Sequence, residues 1–137
     1  MGEPAECLLP VVDDPDTGGF FAAAADGTLA ILHCATCGAV LHMPRAFCQT
    51  CGGFDTQWRA VAPRGTVYSY TVVTHQVHPL FPAPYTIVLV ELDALPGVRL
   101  VGHLDGRPQI TIGQPVHADF ERLADDTVLP RWSLAVA

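Results

Sequence analysis

Lysine is absent from this chain of 137 residues, and all seven of its permanently cationic side chains are arginines. Because 14 acidic residues oppose them, the formal net charge is −7. A chain with this balance repels the phosphate backbone of a nucleic acid unless its arginines are strongly segregated. We therefore expect no nucleic-acid partner.

Long hydrophobic runs are also missing. No stretch approaches the roughly 20 consecutive apolar residues that a membrane-spanning helix needs. The first six residues, Met1-Gly2-Glu3-Pro4-Ala5-Glu6, carry acids in place of the basic segment that begins a secretory signal peptide. We therefore expect a cytoplasmic protein with no membrane partner.

The motifs of the common catalytic classes are absent as well. The chain contains no Gly-x-Ser-x-Gly elbow, no phosphate-binding P-loop and no dinucleotide-binding glycine fingerprint. His75 and His78 are of a type that titrates near neutrality, but the sequence places no nucleophile beside them. The sequence therefore predicts no catalytic residue. Half of the residues are hydrophobic and 15% are charged, which favours an apolar surface kept for a partner protein.

Two pairs of cysteines are the strongest signal that the sequence does carry. Cys34 and Cys37 form one Cys-x-x-Cys pair, Cys48 and Cys51 form the other, and glycine follows each pair directly. Two such turns can place four thiolates around one Zn²⁺, and a site closed by four sulfurs is structural because it leaves no position for water. The remaining cysteine, Cys7, is expected to be a free thiol without a role.

Two alternatives stay open for this site. Paired cysteines can form disulfides, although a chain without a secretion signal more often uses them for metal. Iron is the other alternative, because the spacing alone does not distinguish zinc from iron.

The remaining pattern predicts a mainly β fold. A short helix is expected through Phe20 and Phe21 to Ala25, capped by Asp16 or Thr17 and followed by Gly27. Strands are expected to enter and leave the first cysteine pair at 29–33 and 39–42. Five further strands are expected at 65–76, 85–92, 98–104, 116–121 and 128–134, the second covered on both faces and the last at an edge because of Pro130. They fit a five-stranded OB-fold barrel. The predicted divisions are a leader and helix (1–28), a Cys₄ zinc ribbon (29–60) and the barrel (61–137).

Binding candidates come from one loop and from clustered arginines. The segment 77–84 holds three prolines and two candidate contact residues, His78 and Phe81, and Tyr85 follows it. Arg45 and Arg64 lie near the second cysteine pair, with Arg59 between them, and predict a small anion site. His33 and His42 flank the ribbon and could replace a cysteine ligand, but four cysteines already complete a tetrahedral site.

Several segments together carry a resemblance to a known family. They are Leu32-His33-Cys34-x-x-Cys37-Gly38, Pro44-Arg45 before Cys48-x-x-Cys51-Gly52, Gly65-Thr66-Val67-Tyr68-Ser69-Tyr70, Pro84-Tyr85, and Ile112-Gly113-x-Pro115-Val116. From about Phe20 to Trp132 the chain resembles acyl-CoA-associated proteins that join a rubredoxin-like zinc ribbon to an OB fold.

The resemblance implies an accessory subunit in a hetero-oligomer. Members of this family are partners of thiolase-like proteins, which supply the nucleophile and the acid–base groups for acyl transfer or for retro-aldol cleavage of CoA thioesters, including those from steroid side chains. The acyl-CoA is expected near the interface, and the zinc is structural.

Parts of the sequence are also compatible with two other functions. The barrel with Tyr68, Tyr70, Phe81 and Tyr85 as stacking groups would suit a single-stranded nucleic-acid binder. A Cys₄ site holding iron would suit a rubredoxin-like electron carrier.

Overall fold

The computed structural model describes residues 8–135 of the chain. This described part of the chain contains one short helix and seven strands, with a 3₁₀ turn at Ala124–Asp126. They are α1 (Gly18–Ala25), β1 (Leu29–Cys34), β2 (Thr56–Val61), β3 (Arg64–Val73), β4 (Tyr85–Leu92), β5 (Arg99–Asp105), β6 (Pro115–Arg122) and β7 (Val128–Leu134). Strands β1 and β2 form one antiparallel pair, and the other five form an antiparallel sheet in the order β5-β4-β3-β6-β7. The predicted mainly β architecture is confirmed.

Helix α1 begins where the sequence predicts, but its N-terminus is organised differently. The Thr17 side chain makes no capping hydrogen bond. Asp14 Oδ1 accepts instead from the backbone N–H groups of Asp16 at 2.8 Å and of Thr17 at 3.3 Å, in the turn before the helix. Gly27 follows the helix with φ of +73°, as expected of a residue that ends a helix. In the described part of the chain, no helix is long and apolar enough to cross a membrane.

Strand β1 leads into the first cysteine pair, and the sequence did not predict the strand that pairs with β1. β1 pairs with β2 from Leu29 opposite Val61 to Cys34 opposite Thr56. The predicted strand over 39–42 is wrong: only a single bridge joins His33 to Val40 there. The turn that follows the first cysteine pair and the proline that follows at 44 leave too few residues for a longer ladder.

The five-stranded sheet curls into a partly closed barrel. β3 pairs with β4 along most of its length and with β6 only through Arg64–Thr66. A register shift between Val67 and Ser69 interrupts the β3–β4 ladder, and such bulges bend a strand and increase its twist. The outer strands β5 and β7 then approach each other, since a Cβ atom added at Gly102 of β5 would lie only 2.6 Å from the Trp132 ring of β7. Pro130 lies in the outer strand β7, as predicted.

The burial of β4 differs from the prediction. Its residues alternate, with Thr86, Val88, Val90 and Leu92 buried and the residues between them only partly covered. The strand is therefore fully covered on one face, because no second layer of the described chain packs over the outer face of the barrel.

Two separate cores meet at β1. Leu29 and Ile31 belong to the barrel core, whereas Leu32 and Cys34 belong to a small cluster with Leu41 and Cys48. Since successive side chains of a strand point to opposite faces, one face of β1 packs on the barrel and the other supports the cysteines.

Candidate metal centre and neighbouring surfaces

The four paired cysteines converge on one point. Their sulfurs all lie within 4.8 Å of one another, and two distances across the pairs, Cys34 to Cys51 and Cys37 to Cys48, are 3.6 Å. Tetrahedral zinc at about 2.3 Å from each sulfur requires sulfurs about 3.8 Å apart, so the donor set fits zinc. A disulfide requires about 2.05 Å, and all four thiols are free. The disulfide alternative is therefore wrong.

The same local turn forms each half of the site. Gly38 N donates to the Cys34 carbonyl at 2.9 Å, and Gly52 N donates to the Cys48 carbonyl at 2.8 Å. Both glycines have φ near the left-handed region, +77° and +75°, which other residues adopt only with strain. The glycine after each pair thus lets the chain turn back around the sulfurs.

Burial divides the four ligands into two classes. Cys34 and Cys48 are 0% exposed, whereas Cys37 and Cys51 face solvent. Strand β1 delivers Cys34 to the centre, and the N–H of Cys48 donates to the Gly53 carbonyl at 2.8 Å. The buried sulfurs of Cys34 and Cys48, which we call the inner sulfurs, are thus held by the fold. The exposed sulfurs of Cys37 and Cys51, the outer sulfurs, close the site.

The same division appears in the pKa values of the metal-free thiols. The backbone N–H of Cys37 lowers the pKa of Cys34 to about 6, although burial opposes it. The N–H of Ala39 lowers the pKa of Cys37, but the hydrogen bond with Cys48 and burial outweigh it and raise that pKa to about 11. The pKa of Cys48 is likewise lowered, chiefly by the N–H of Cys51, and the pKa of Cys51 is raised. The inner thiols therefore ionise before the outer ones.

The two histidines that flank the ribbon have other partners. His33 is buried, and its Nδ1 lies 2.8 Å from the Ile31 carbonyl, while His42 Nε2 lies 2.9 Å from the Arg99 carbonyl. A carbonyl only accepts hydrogen bonds, so both ring nitrogens donate. Neither histidine belongs to the four-sulfur cluster. Cys7 lies outside the described residues.

A second feature is a cluster of three rings, Phe81, Tyr85 and His103, which we call the aromatic cluster. The ring centroids lie 5.1 Å apart for Tyr85 and His103, 5.9 Å for Phe81 and His103, and 6.2 Å for Phe81 and Tyr85. Two of these residues were predicted candidates. His103 was missed, because only the pairing of β5 with β4 brings it to them.

The aromatic cluster borders a cavity of about 370 Å³ between the outer strands of the barrel. Phe81, His103, Asp105, Glu121, Leu129 and Arg131 contribute to its lining. His78, the other candidate from this loop, does not line it. Its Nδ1 accepts from the Leu80 N–H at 3.1 Å, so the exposed imidazole shapes the loop.

The two candidate arginines lie in different segments of the chain. Arg45 lies in the segment between the cysteine pairs, and Arg64 opens β3. Within residues 8–135 neither side chain makes an ion pair or a hydrogen bond, so the anion site stays a prediction. Arg99, in contrast, has two side-chain partners. Its guanidinium lies 3.7 Å from the Tyr68 ring centroid, and its Nε lies 3.4 Å from Glu91 Oε2.

A second cavity of about 370 Å³ is mostly apolar and lies between α1, the ribbon and β5. Phe20, Phe21, Met43, Trp58, Leu100 and Val101 contribute to its lining. Two of them, Met43 and Val101, remain about 70% exposed at its rim. The described chain thus leaves an apolar surface beside the metal centre.

A four-sulfur ribbon packed on a five-stranded barrel defines the class of zinc-ribbon/OB-fold proteins, and comparison with known proteins narrows it further. Residues 21–57 match the family model of the ChsH2 rubredoxin-like zinc ribbon domain, and residues 58–121 match that of the ChsH2 C-terminal OB-fold domain. A solved structure described as an Ltp2-ChsH2(DUF35) aldolase is 38% identical and has a TM-score of 0.81, covering 98% of this chain and 100% of that chain. The chain belongs to the ChsH2 family, and its four-cysteine centre is a structural zinc site.

Two further comparisons add to this result. A DUF35-family protein of unknown function from Sulfolobus solfataricus is 17% identical with a TM-score of 0.59, covering 88% of this chain and 86% of that one, which supports the fold alone. A probable enoyl-CoA hydratase alpha subunit from Thermomonospora curvata is 40% identical over 123 residues. This match covers 88% of our chain but only 38% of the curated relative's length.

Proposed function

We propose that this chain is a non-catalytic subunit that binds a thiolase-superfamily partner and supports the partner's chemistry on acyl-CoA thioesters. The reaction is retro-aldol cleavage of a carbon–carbon bond, of the steroid side-chain type, or acyl transfer. The observation that carries the proposal is the end-to-end match with a solved structure named for Ltp2 and ChsH2 together and described as an aldolase.

The chemistry available within residues 8–135 supports a non-catalytic role. The four described cysteines all belong to the closed sulfur site, and no serine or threonine hydroxyl in this part of the chain hydrogen-bonds to a histidine. Two histidine–aspartate contacts, at 3.7 Å and 3.8 Å, lie on the barrel surface without a nucleophile. A partner that brings its own nucleophile and acid–base groups is therefore required.

The surfaces that the fold leaves open support a binding role. The aromatic cluster borders one cavity, and the apolar cavity beside α1 forms a second patch. Apolar surface of this kind is typical of permanent subunit interfaces. Under this proposal His78, Phe81 and Tyr85 contact the partner or its acyl-CoA, and Arg45 and Arg64 face the CoA phosphates.

The test is reconstitution of activity with a thiolase-like protein from the same organism. A retro-aldol reaction divides a 3-hydroxyacyl-CoA into a carbonyl compound and a shorter acyl-CoA, and both products are measurable by mass spectrometry. We expect a stable complex on size-exclusion chromatography and products only when both proteins are present. Turnover by this chain alone, or failure of the two proteins to associate, would overturn the proposal.

A further inference from the structure

The metal centre has two chemically different sides, and this difference suggests a modification site. We propose that hydrogen peroxide oxidises the exposed cysteines Cys37 and Cys51, and that the oxidised site closes across the two pairs, as Cys37–Cys48 and Cys34–Cys51 disulfides, with loss of zinc. This inference concerns the centre itself and does not depend on the proposed function.

Access to solvent determines where oxidation begins. Cysteines that bind zinc are thiolates, and the thiolate is the form that reacts with peroxide. Cys34 and Cys48 are 0% exposed, whereas Cys37 and Cys51 reach the surface of the ribbon. Peroxide therefore meets the outer sulfurs first.

Close contacts between sulfurs of different pairs favour the disulfides that we propose. Each outer sulfur has an inner sulfur of the other pair 3.6 Å away: Cys37 faces Cys48, and Cys51 faces Cys34. An approach of about 1.5 Å brings either couple to bonding distance. Within the first pair, in contrast, the N–H of Cys37 points at Cys34 Sγ at 3.5 Å and the turn through Gly38 holds the two residues in place.

The chemistry balances with peroxide as the sole oxidant. The outer thiolate attacks one peroxide oxygen, the O–O bond breaks, hydroxide leaves, and a sulfenic acid forms. The inner thiolate then attacks the sulfenic sulfur, the S–O bond breaks, a second hydroxide leaves, and the disulfide forms. Each disulfide consumes one peroxide molecule, which takes two electrons from the two thiolates. Two disulfides remove all four zinc ligands.

The sequence offers an unusually direct readout of the pairing. With no lysine in the chain, trypsin cleaves only after arginine, and Arg45 lies between the two cysteine pairs. Cys34 and Cys37 fall in the peptide 1–45, and Cys48 and Cys51 fall in the peptide 46–59. Disulfides across the pairs therefore link the two peptides, and disulfides within each pair leave them separate. The substitution Cys7→Ser removes the third cysteine from peptide 1–45.

The experiment treats the zinc-loaded, full-length Cys7→Ser chain with hydrogen peroxide. Zinc release is followed with a chelating dye, and the non-reduced monomer band is digested and mapped by mass spectrometry. We expect release of about one zinc ion per chain, in parallel with linked 1–45 and 46–59 peptides that fragment as Cys37–Cys48 and Cys34–Cys51. Separate peptides, each carrying an internal disulfide, would overturn the proposal. Retained zinc, or oxidation of single cysteines without linkage, would overturn it as well.

Discussion

Arg131 Nη2 lies 2.9 Å from Asp105 Oδ2, and this ion pair joins β7 to β5, the two outer strands of the barrel sheet. The same guanidinium donates through Nη1 to Glu121 Oε2 of β6, also at 2.9 Å. The hydrogen bond with Glu121 raises the pKa of Arg131 above its ordinary value, so the side chain stays charged at every pH at which the protein is handled. One side chain thus bridges three strands.

Replacing this arginine is therefore expected to weaken the barrel. Arg131→Met keeps much of the aliphatic length but removes both ion pairs. Because the side chains are partly exposed, we expect a loss of about 1 kcal/mol in the free energy of unfolding, measured by urea denaturation, and a smaller loss at high salt. The control is Arg122→Met, which breaks the more exposed pair with Asp126 within one segment. Equal losses for both variants would contradict the bridging role.

The packing of α1 on the ribbon predicts a second effect. A Cβ atom added at Gly19 would collide with the Trp58 indole, whereas at Gly18 the nearest atom would be the Val12 carbonyl oxygen at 3.3 Å. Alanine in a helix normally gains up to about 1 kcal/mol over glycine. We expect Gly19→Ala to destabilise the protein by about 1–2 kcal/mol, because overpacking outweighs that gain.

Gly18→Ala is the matched control, and we expect its stability to change little. Thermal unfolding followed by tryptophan fluorescence reports on both variants, because Trp58 lies at the contact. A Gly19→Ala protein as stable as the wild type would contradict the close approach of helix and indole.

Local signals in the sequence were sufficient for much of this fold. The glycine after each cysteine pair specifies a turn through its own φ, so the metal centre needs no distant information. The strands β3 to β7 carry β-branched and aromatic residues between turn residues. Pro130 was sufficient to predict that β7 is an outer strand. These features depend on residues close in the chain.

What the sequence did not reveal depends on tertiary contacts. Strand β2 has no clear alternation, because its Trp58 faces the helix while Arg59 and Ala60 are exposed. The position of β2 is determined by its pairing with β1. All six residues of β1 are buried, so its backbone groups need hydrogen-bond partners from another strand. His103 and Arg131 lie in strands whose closeness follows only from curling of the sheet, so no local pattern could identify them.

The pKa values of the cysteines predict how zinc binding depends on pH. In the metal-free protein at pH 7.5, Cys34 with its pKa of about 6 is ionised, and Cys37 with its pKa of about 11 holds its proton. Cys48 and Cys51 are shifted in the same respective directions. We therefore expect zinc binding to release fewer than four protons per chain, mainly from the outer thiols.

Calorimetry in buffers of different ionisation enthalpy measures this number directly. Because the pKa of Cys34 is lowered on folding, its contribution to the stability of the metal-free ribbon is present above its ordinary value near 9 and is lost as the pH falls through about 6. Zinc affinity should fall over the same acidic range. Release of four protons at pH 7.5 would contradict the division between inner and outer thiols.

The two cores predict what happens when the metal is removed. The ribbon cluster around Leu32, Leu41 and the inner cysteines is small, whereas the barrel core is built from β1 and β3 to β7. We expect a strong chelator to abolish hydrogen-exchange protection around Leu41 and Cys48 while the amides of Val88 and Val90 in β4 stay protected. Loss of protection throughout both regions at the same chelator concentration would contradict this separation.

The aromatic cluster predicts a defect in assembly without a defect in folding. Phe81 touches Tyr85 and His103 but remains 37% exposed, so its ring has a face free for a partner or an acyl chain. We expect Phe81→Ala to weaken the complex with the thiolase-like protein about tenfold, or to raise KM by a similar factor, because exposed aromatic anchors carry much of the binding energy at interfaces. Biolayer interferometry and steady-state kinetics measure the two effects.

The matched control is Ile112→Ala, which shortens an exposed apolar side chain in a different loop, before β6. Both variants should retain the thermal stability of the wild type to within a few degrees, because neither side chain belongs to the buried core. A defect in Phe81→Ala that Ile112→Ala does not share would assign the effect to the aromatic cluster. Unchanged assembly and KM in Phe81→Ala would instead remove this loop from the interface and leave the apolar cavity beside α1 as the stronger candidate.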